Sequence, residues 1–410
     1  MDYKIITLIL ITILFIYNIV SKYFIFTSIS RPIPENVKDV YDITTYQKWA
    51  EYTSEKTEHK IYHELISYIV FMMLIIFNVF AFVEKMVSDD VYTRAIVLLV
   101  FFELINFIVD IVFDYLDTMK IESKYGFNKT SKKTFVADQI KSLVLSLGLS
   151  TGLIATFIGL YHWLGDFILL AFSLIMFLFI LGMFFLTPLF AKIFNKFTPL
   201  PEGTLRTNLE NLLIKNGYKV NEIKVMDGSR RSSKANAYFS GLGKTKNIVL
   251  YDTMMELMTE EEIIAVFAHE LGHGKNNDII KGYVSSLLQV LMIIFISWFI
   301  ISRVAFSQDF AFEDLNYGFT FIIILVVIVP IVTTIIAPIT NFFSRKHEYK
   351  ADKFASKEGY SEALISGLKK LSRNNYACLN PHPFIVKMKY THPPLSQRIA
   401  ALEEESSSID

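Results

Sequence analysis

The segment "RAIVLLVFFELINFIVDIVFDYL", residues 94–116, is a long and mainly apolar stretch. A helix needs about 20 such residues to cross the roughly 30 Å hydrocarbon layer of a bilayer. Six further stretches have the same character: 4–26, 63–84, 142–164, 166–190, 283–306 and 318–343. The sequence therefore predicts a bundle of seven transmembrane helices. The segment 94–116 also contains the polar residues Glu103, Asn106 and Asp110. We expect them to face protein or water, because exposing them to lipid is costly.

The composition also predicts an integral membrane protein. Of the 410 residues, 52% are hydrophobic and 20% are charged, with a mean hydropathy of +0.40, which is too apolar for a typical soluble domain. Forty basic and forty acidic residues cancel, so no net field attracts nucleic acid, and we expect no nucleic-acid partner. Cys378 is the only cysteine, which excludes an internal disulfide and a cysteine-rich metal site.

The basic residues of the loops predict the orientation. With seven spans, one side receives the basic first and third loops, the long 191–282 segment and the basic stretch after Arg345. The other side receives only Lys4, Lys85, Arg94 and Arg303. Cytoplasmic loops hold the excess of Lys and Arg, so the N-terminus is predicted outside and the C-terminus inside. The first stretch lacks a clean cleavage pattern, which favours a retained span over a signal peptide.

A soluble unit begins after the fifth stretch, where "TPLPEG" (198–203) is typical of a turn. Short β-like runs follow: "EIKVMD", "NAYFSG" and "NIVLYDT". The predicted fold is thus mainly α, a seven-transmembrane-helix bundle with a small α+β domain on the cytosolic face. We divide it into a membrane domain, 1–197, with five spans, and a second domain, 198–410, that includes the spans 283–306 and 318–343.

The segment "AVFAHELGHGKNND", residues 265–278, has two histidines four residues apart. A capping box formed by Thr259 and Glu262 predicts a helix over about 260–275, on which His269 and His273 share one face. Two imidazoles suit zinc, and the adjacent Glu270 is placed to take a proton from an activated water. The pattern is that of H-E-x-x-H metalloproteases; the alternative is a buried histidine pair that bonds to carbonyls.

A third ligand must come from elsewhere, and "SRKHEYKAD" (344–352) is the best source. Glu348 and Asp352 are four apart, so they share a helix face. One can bind the metal while the other orients a ligating histidine. His347 is the competing ligand, and an ordinary charged helix face is the alternative for the whole stretch. The spacing alone leaves these choices open.

Several motifs together resemble one family, the type I CAAX prenyl endopeptidases, which are integral membrane zinc proteases with seven spans. The motifs occur in the family's order: "YGFNKTSKKTFVADQIKS" (125–142), "FNKFTPLPEG" (194–203), "KANAYFSG", "KNIVLYDT", "AHELGH", "SRKHEYKAD" and "THPPLSQRIAAL". The resemblance covers most of the chain. It implies that the spans enclose a water-filled chamber capped by the catalytic domain.

The resemblance also implies roles for the motif residues. One zinc ion per chain would be bound by His269, His273 and Glu348, with Glu270 as the general base. Asp352 would support the ligands from behind.

Three further residues would act on the substrate or brace the site. Asn236 would begin an edge strand that pairs with the substrate backbone. His392 would stabilise the developing oxyanion, and Arg398 would brace the carboxylates of the zinc site.

The family removes C-terminal tripeptides from prenylated proteins, so the expected partners are a peptide or protein substrate, possibly lipidated, and membrane lipid. The high Ile, Lys and Phe content indicates an AT-rich genome and favours a bacterial plasma membrane over the endoplasmic reticulum. Two alternatives remain: a quality-control protease for misfolded or translocon-stalled peptides that needs no prenyl group, and a membrane protein that binds chains without cutting them.

Overall fold

The structure is a computed structural model that describes residues 2–87, 89–167, 173–174, 176–179, 181–182, 190–240, 245–301 and 304–407. Helices dominate this part of the chain. They are α1 Tyr3–Ile29, α2 Ile43–Ile76, α3 Val79–Glu84, α4 Val91–Leu116, α5 Lys132–Leu164, α6 Thr204–Lys215, α7 Asp252–Leu257, α8 Glu260–Lys275, α9 Asp278–Ile301, α10 Val304–Asp309, α11 Tyr317–Ile323, α12 Val329–Lys357, α13 Ser361–Asn374, α14 Pro383–Lys389 and α15 Leu395–Ser407. The strands are β1 Phe197–Pro199, β2 Lys219–Met226, β3 Ala237–Ser240 and β4 Thr245–Tyr251.

Six helical segments of the described chain are long and apolar enough to cross a membrane. They are Tyr3–Ile29, Ile43–Ile76, Val91–Glu122, Lys132–Leu164, Ile280–Phe299 and Tyr317–Lys357. In the last of these, a π-helical turn over Ile324–Ile328 joins α11 to α12. The six segments correspond to six of the seven predicted spans; the remaining one, 166–190, lies mostly outside the described residues.

The second span differs from its predicted limits of 63–84. Its helix begins twenty residues earlier, because Asp42 caps α2 by accepting a hydrogen bond of 2.8 Å from the Thr45 amide. Polar turns therefore extend the helix beyond its apolar part. It ends before Asn78, whose φ of 54° is left-handed and starts the short helix α3. The apolar pattern detected the span, but the caps determined its length.

The membrane bundle is held by close contacts between α4 and α11. A Cβ on Gly318 would lie only 2.2 Å from the carbonyl oxygen of Ala95, so glycine is required for the two backbones to approach. On the outer surface, large apolar side chains such as Ile13, Ile108 and Ile335 are more than half exposed. This distribution is expected when lipid covers the outside of a bundle.

The four strands form one mixed sheet in the order β1-β2-β4-β3. β2 and β4 are parallel, whereas β3 pairs antiparallel with β4 and lies at the edge. The helices α6 and α8 belong to the same hydrophobic core as the sheet, which includes Leu209, Leu213, Ile248 and Leu250. This core supports α8, the helix that carries the two histidines of the metal motif.

A separate core joins the loop after α1 to the C-terminal helices. Val37 and Trp49 pack with Leu395 and Ile399 of α15, and all four are buried. This packing holds the segment His392–Arg398 against the start of α2.

Candidate metal centre

The helix α8 has the limits that the capping box predicted, Glu260–Lys275. The Thr259 amide donates a 2.8 Å hydrogen bond to Glu262 Oε2, and the Glu262 amide donates one of 3.3 Å to Thr259 Oγ1. These two bonds satisfy amides that would otherwise lack partners at the helix start. The helix ends near Asn277, whose φ of 54° is left-handed.

The helix α12 crosses α8 at Gly272. A Cβ at that position would be 2.8 Å from the Cα of Ala351, so only glycine permits this approach without a shift. The contact brings Glu348, one turn before Ala351, opposite the two histidines of α8. Gly272, which lies inside the H-E-x-x-H motif, thus determines how closely Glu348 of α12 approaches the two histidines of α8.

Three side chains meet at this crossing in a geometry that fits a metal. His269 Nε2 lies 3.5 Å from Glu348 Oε2, and His273 Nε2 lies 3.2 Å from Glu348 Oε1. Ligand atoms at about 2.05 Å from a tetrahedral zinc ion are about 3.3 Å apart, which these two separations match. All three candidate ligand atoms lie within 4.8 Å of one another.

The hydrogen bonding of Glu348 also fits a cation. Its side chain is 4% exposed, and Oε2 has no hydrogen-bond donor in the described structure. His392 Nδ1 is 2.7 Å from this oxygen, but not in the orientation of a hydrogen bond. A buried carboxylate oxygen without a donor is costly, and a cation among the three ligand atoms would satisfy it. The donor set, two imidazole nitrogens and a carboxylate, is one that zinc accepts.

His269 is oriented from behind by an acidic side chain. Its Nδ1 is 2.8 Å from Asp352 Oδ1 and 3.3 Å from Arg398 Nη2. Because arginine only donates hydrogen bonds and the carboxylate is closer, we assign the Nδ1 proton to the bond with Asp352. Arg398 in turn donates two hydrogen bonds to Asp352, at 2.9 and 2.6 Å. A proton on Nδ1, facing the Asp352 carboxylate, leaves Nε2 of His269 directed toward Glu348 and available to a metal.

His273 has an equivalent partner that the sequence analysis missed. Its Nδ1 is hydrogen-bonded at 3.0 Å to Asp278 Oδ2, so its Nε2 is the nitrogen that faces Glu348 and is available to a metal. Asp278 is the first residue of α9 and returns toward His273 through the left-handed Asn277. His347, the competing ligand, instead has its Nδ1 3.5 Å from Asp278 Oδ1. The turn-forming pair Asn276 and Asn277 was the available signal that the chain reverses here.

The acidic neighbours change the proton affinity of both histidines when no metal is bound. Burial and the charge of Arg398 act to lower the pKa of His269, but Asp352 and Glu348 outweigh them and raise it to about 9. Burial likewise opposes protonation of His273, whereas Glu348 and Asp278 raise its pKa. In the metal-free site a proton therefore occupies a place that a cation would take.

Glu270 follows His269 on α8, and Asn236 precedes the edge strand β3. Glu270 is half-buried and lines one small cavity together with Ala237, the first residue of β3. Asn236 is exposed, and its side-chain oxygen accepts a 2.9 Å hydrogen bond from the Ala237 amide. The structure thus brings His269, His273, Glu348, Asp352, Arg398 and His392 together. Asn236 makes no contact with that cluster among the described hydrogen bonds and ion pairs.

His392 is the most accessible member of the cluster, with its side chain 64% exposed. It lines a cavity of about 810 Å³ together with residues of α1 and α2. Arg398 lines the same cavity. The cavity therefore adjoins the cluster through His392 and Arg398, and it is large enough for part of a peptide.

Two family descriptions cover almost the whole chain. Residues 199–406 match peptidase family M48, and residues 26–196 match the CAAX prenyl protease N-terminal region, described as five membrane helices. The family resemblance inferred from the motifs is confirmed.

Individual proteins agree with these matches. A CAAX prenyl protease 1 homolog from Oryza sativa is 32% identical, over 92% of this chain and 91% of its own length. CAAX prenyl protease 1 from Saccharomyces cerevisiae is 28% identical, over 90% of this chain and 88% of its own. The crystal structure of S. mikatae Ste24p superimposes with a TM-score of 0.90 at 28% identity, covering 98% of this chain and 99% of the other.

These relatives are eukaryotic, so they lend no support to the bacterial membrane that the composition favoured. The membrane helices and the five-helix N-terminal region agree on a multi-pass integral membrane protein. The chain belongs to peptidase family M48 and is a membrane metalloprotease of the CAAX prenyl protease type.

Proposed function

We propose that the chain is a zinc metalloendopeptidase that cleaves prenylated, membrane-associated peptides near their C-terminus. The observation that carries this proposal is the meeting of His269 Nε2, His273 Nε2 and the Glu348 carboxylate at 3.2 to 3.5 Å. The substrate class follows the relatives that are named CAAX prenyl proteases. One zinc ion per chain is expected.

We also propose how the chain is organised in the membrane. Residues 1–197 form a membrane domain of five spans, and residues 198–410 form the metallopeptidase domain with two more. The five-helix N-terminal match supports the first number, and the described helices supply four spans before residue 197 and two after it. The loop charges favour the N-terminus outside and the catalytic domain in the cytoplasm, where the seven helices would enclose a water-filled chamber.

The residues of the cluster divide the chemistry between them. When bound, zinc supplies a Lewis acid that lowers the pKa of water and polarises the peptide carbonyl. The Glu270 carboxylate accepts the proton of the attacking water and passes it to the amine of the leaving peptide. The ring of His392 donates a hydrogen bond to the carbonyl oxygen as that oxygen gains negative charge.

Two other residues hold the reacting groups in position. Asn236 and the open edge of β3 bind the peptide backbone by main-chain hydrogen bonds, which orients the scissile bond next to Glu270. Arg398, through its two hydrogen bonds to Asp352, keeps His269 turned toward the metal.

The test compares Glu270→Gln with the wild-type protein. The variant should keep stoichiometric zinc but lose about 10²- to 10⁴-fold in cleavage rate, because the proton acceptor is gone. Glu261→Gln is the matched control, since Glu261 is exposed in the first turn of the same helix. Equal cleavage by the Glu270 variant and the wild type would refute the proposal.

The same assay addresses the substrate. Matched prenylated and unprenylated peptides are incubated with the zinc-loaded protein, and the products are identified by mass spectrometry. A release of C-terminal fragments from the prenylated peptide alone is the expected result. Equal cleavage of both peptides would instead assign the quality-control activity.

A further inference from the structure

The cavity beside His392 has a strongly basic lining. Four lysines line it, Lys22, Lys56, Lys60 and Lys389, and no aspartate or glutamate does so among the described residues. The cavity volume, about 810 Å³, is in the range of sites that hold ligands of tripeptide size. The first question is how much of this positive charge is neutralised by carboxylates just outside the lining.

Lys56 belongs to a balanced group. It forms ion pairs with Glu122 and Asp117, and Lys234 forms a second one with Glu122 at 3.3 Å. Two lysines therefore face two carboxylates, and this group contributes no surplus charge to the cavity.

The other three lysines are not balanced. Lys22 forms an ion pair with Glu64. Lys60 and Lys389 have no carboxylate within ion-pair distance in the described structure. The Nζ atom of Lys389 makes a cation-π contact, 4.6 Å from the ring centre of Tyr17. Both lysines line the same cavity as Lys22. Three ammonium groups thus share one carboxylate, which leaves a surplus of two positive charges at this end of the cavity.

We infer that this cluster of Lys22, Lys60 and Lys389 binds the free C-terminal carboxylate of the peptide substrate. The inference rests on the proposed function and adds a recognition site to it. Cleavage at the metal cluster leaves the C-terminal part of the substrate to occupy the adjoining cavity. A carboxylate in a confined space needs cationic partners, and the lysine cluster supplies them.

The chemistry of the cluster suits any group with anionic oxygens, and the headgroup of an anionic lipid is the other source. The peptide terminus is favoured because the cavity is continuous with His392 and Arg398 of the catalytic cluster. The cluster would then measure how far the scissile bond lies from the chain end, and so restrict cleavage to the last few residues.

Binding can be tested apart from the chemical step on the full-length, zinc-loaded Glu270→Gln protein in phosphatidylcholine nanodiscs. Two fluorescent prenylated peptides of one sequence are compared, one ending in a free carboxylate and one in an amide. We expect the carboxylate form to bind about 10- to 100-fold more tightly, as for hydrogen bonds to charged groups. Equal affinities of the two peptides would overturn the inference.

Lysine variants then test whether the cluster causes the preference for the peptide with a free carboxylate. Combining Lys60→Gln with Lys389→Gln should abolish it, whereas Lys48→Gln and Lys387→Gln, exposed positions of α2 and α14 outside the cavity, should retain it. If the double glutamine variant binds neither peptide, the variant with Lys60→Arg and Lys389→Arg is measured instead. It keeps both positive charges and should therefore keep the preference for the carboxylate peptide. A loss of preference in the arginine pair would count against the lysine cluster.

Two further arms separate the possible failures. Cleavage of the same peptides by the wild type distinguishes the two proposals: cleavage of neither sinks the proposed function, and equal cleavage of both sinks only the carboxylate site. In the second arm, binding of a fluorescent phosphatidylglycerol is measured. If the double glutamine variant loses this binding and the wild type binds both peptides equally, the cluster is reassigned to lipid headgroups.

Discussion

Replacing Gly272 by alanine should open the candidate metal centre without touching any ligand. The new Cβ would lie 2.8 Å from Ala351 Cα, 3.1 Å from Ala351 O and 3.1 Å from Phe354 Cβ. Nonbonded carbons prefer about 3.5 to 4.0 Å, so α8 and α12 must separate by about 1 Å there. Glu348 moves with Ala351, while metal-ligand distances tolerate only about 0.2 Å.

We expect Gly272→Ala to lower the affinity for zinc more than the free energy of unfolding. Overpacking costs about 1 to 3 kcal/mol, and the better helix propensity of alanine returns about 1 kcal/mol, which leaves a net loss of about 0 to 2 kcal/mol. Zinc affinity should fall by at least the about 10- to 100-fold that loss of an orienting contact produces. Peptide cleavage at limiting zinc should fall with it.

The assay is chelator competition for zinc on the purified protein, together with thermal unfolding in the presence of excess chelator. Gly282→Ala on α9 is the control, since a Cβ there meets no atom within 4 Å. Wild-type zinc affinity in Gly272→Ala would show that the contact with Ala351 does not position Glu348.

Three other predictions concern helix α8 and the residues around it. Asp278→Asn should weaken zinc binding about 10- to 100-fold in the competition assay, because His273 loses its anionic partner; an unchanged affinity would contradict this role. Zinc affinity should rise with pH by at least about tenfold per unit until pH 9, because the proton held by metal-free His269, whose pKa is raised to about 9, must leave, and His273, whose pKa is also raised, can release a second one; a flat profile from pH 6 to 9 would exclude the competition. Burial acts to raise the pKa of Glu262, but Lys370, Ser366 and the Thr259 amide hold it below its usual 4.5. The anion therefore stabilises the fold above that pH, and this contribution is lost as the pH falls through the folded-state pKa. Glu262→Gln should lower stability by about 1 kcal/mol at pH 7, with a difference from wild type that shrinks below pH 4.5; a constant difference in thermal unfolding would argue against it.

Features that depend on neighbouring residues were predictable from the sequence. Apolar length indicated the membrane-capable helices that the structure describes, and the capping box of Thr259 and Glu262 set the start of α8. The spacing of His269 and His273 on one helix face follows from 3.6 residues per turn. Where caps rather than hydropathy decide, as at Asp42 and Asn78, the helix has other limits than the predicted second span.

Contacts between distant segments were decided only by the tertiary structure. Spacing could not choose between His347 and Glu348, because both lie on one helix and the choice depends on which face α12 turns to Gly272. The pairing of Asp278 with His273 and the surplus charge of Lys60 and Lys389 likewise depend on how separate helices pack. Local periodicity determines which side chains share a face, but only packing determines what that face meets.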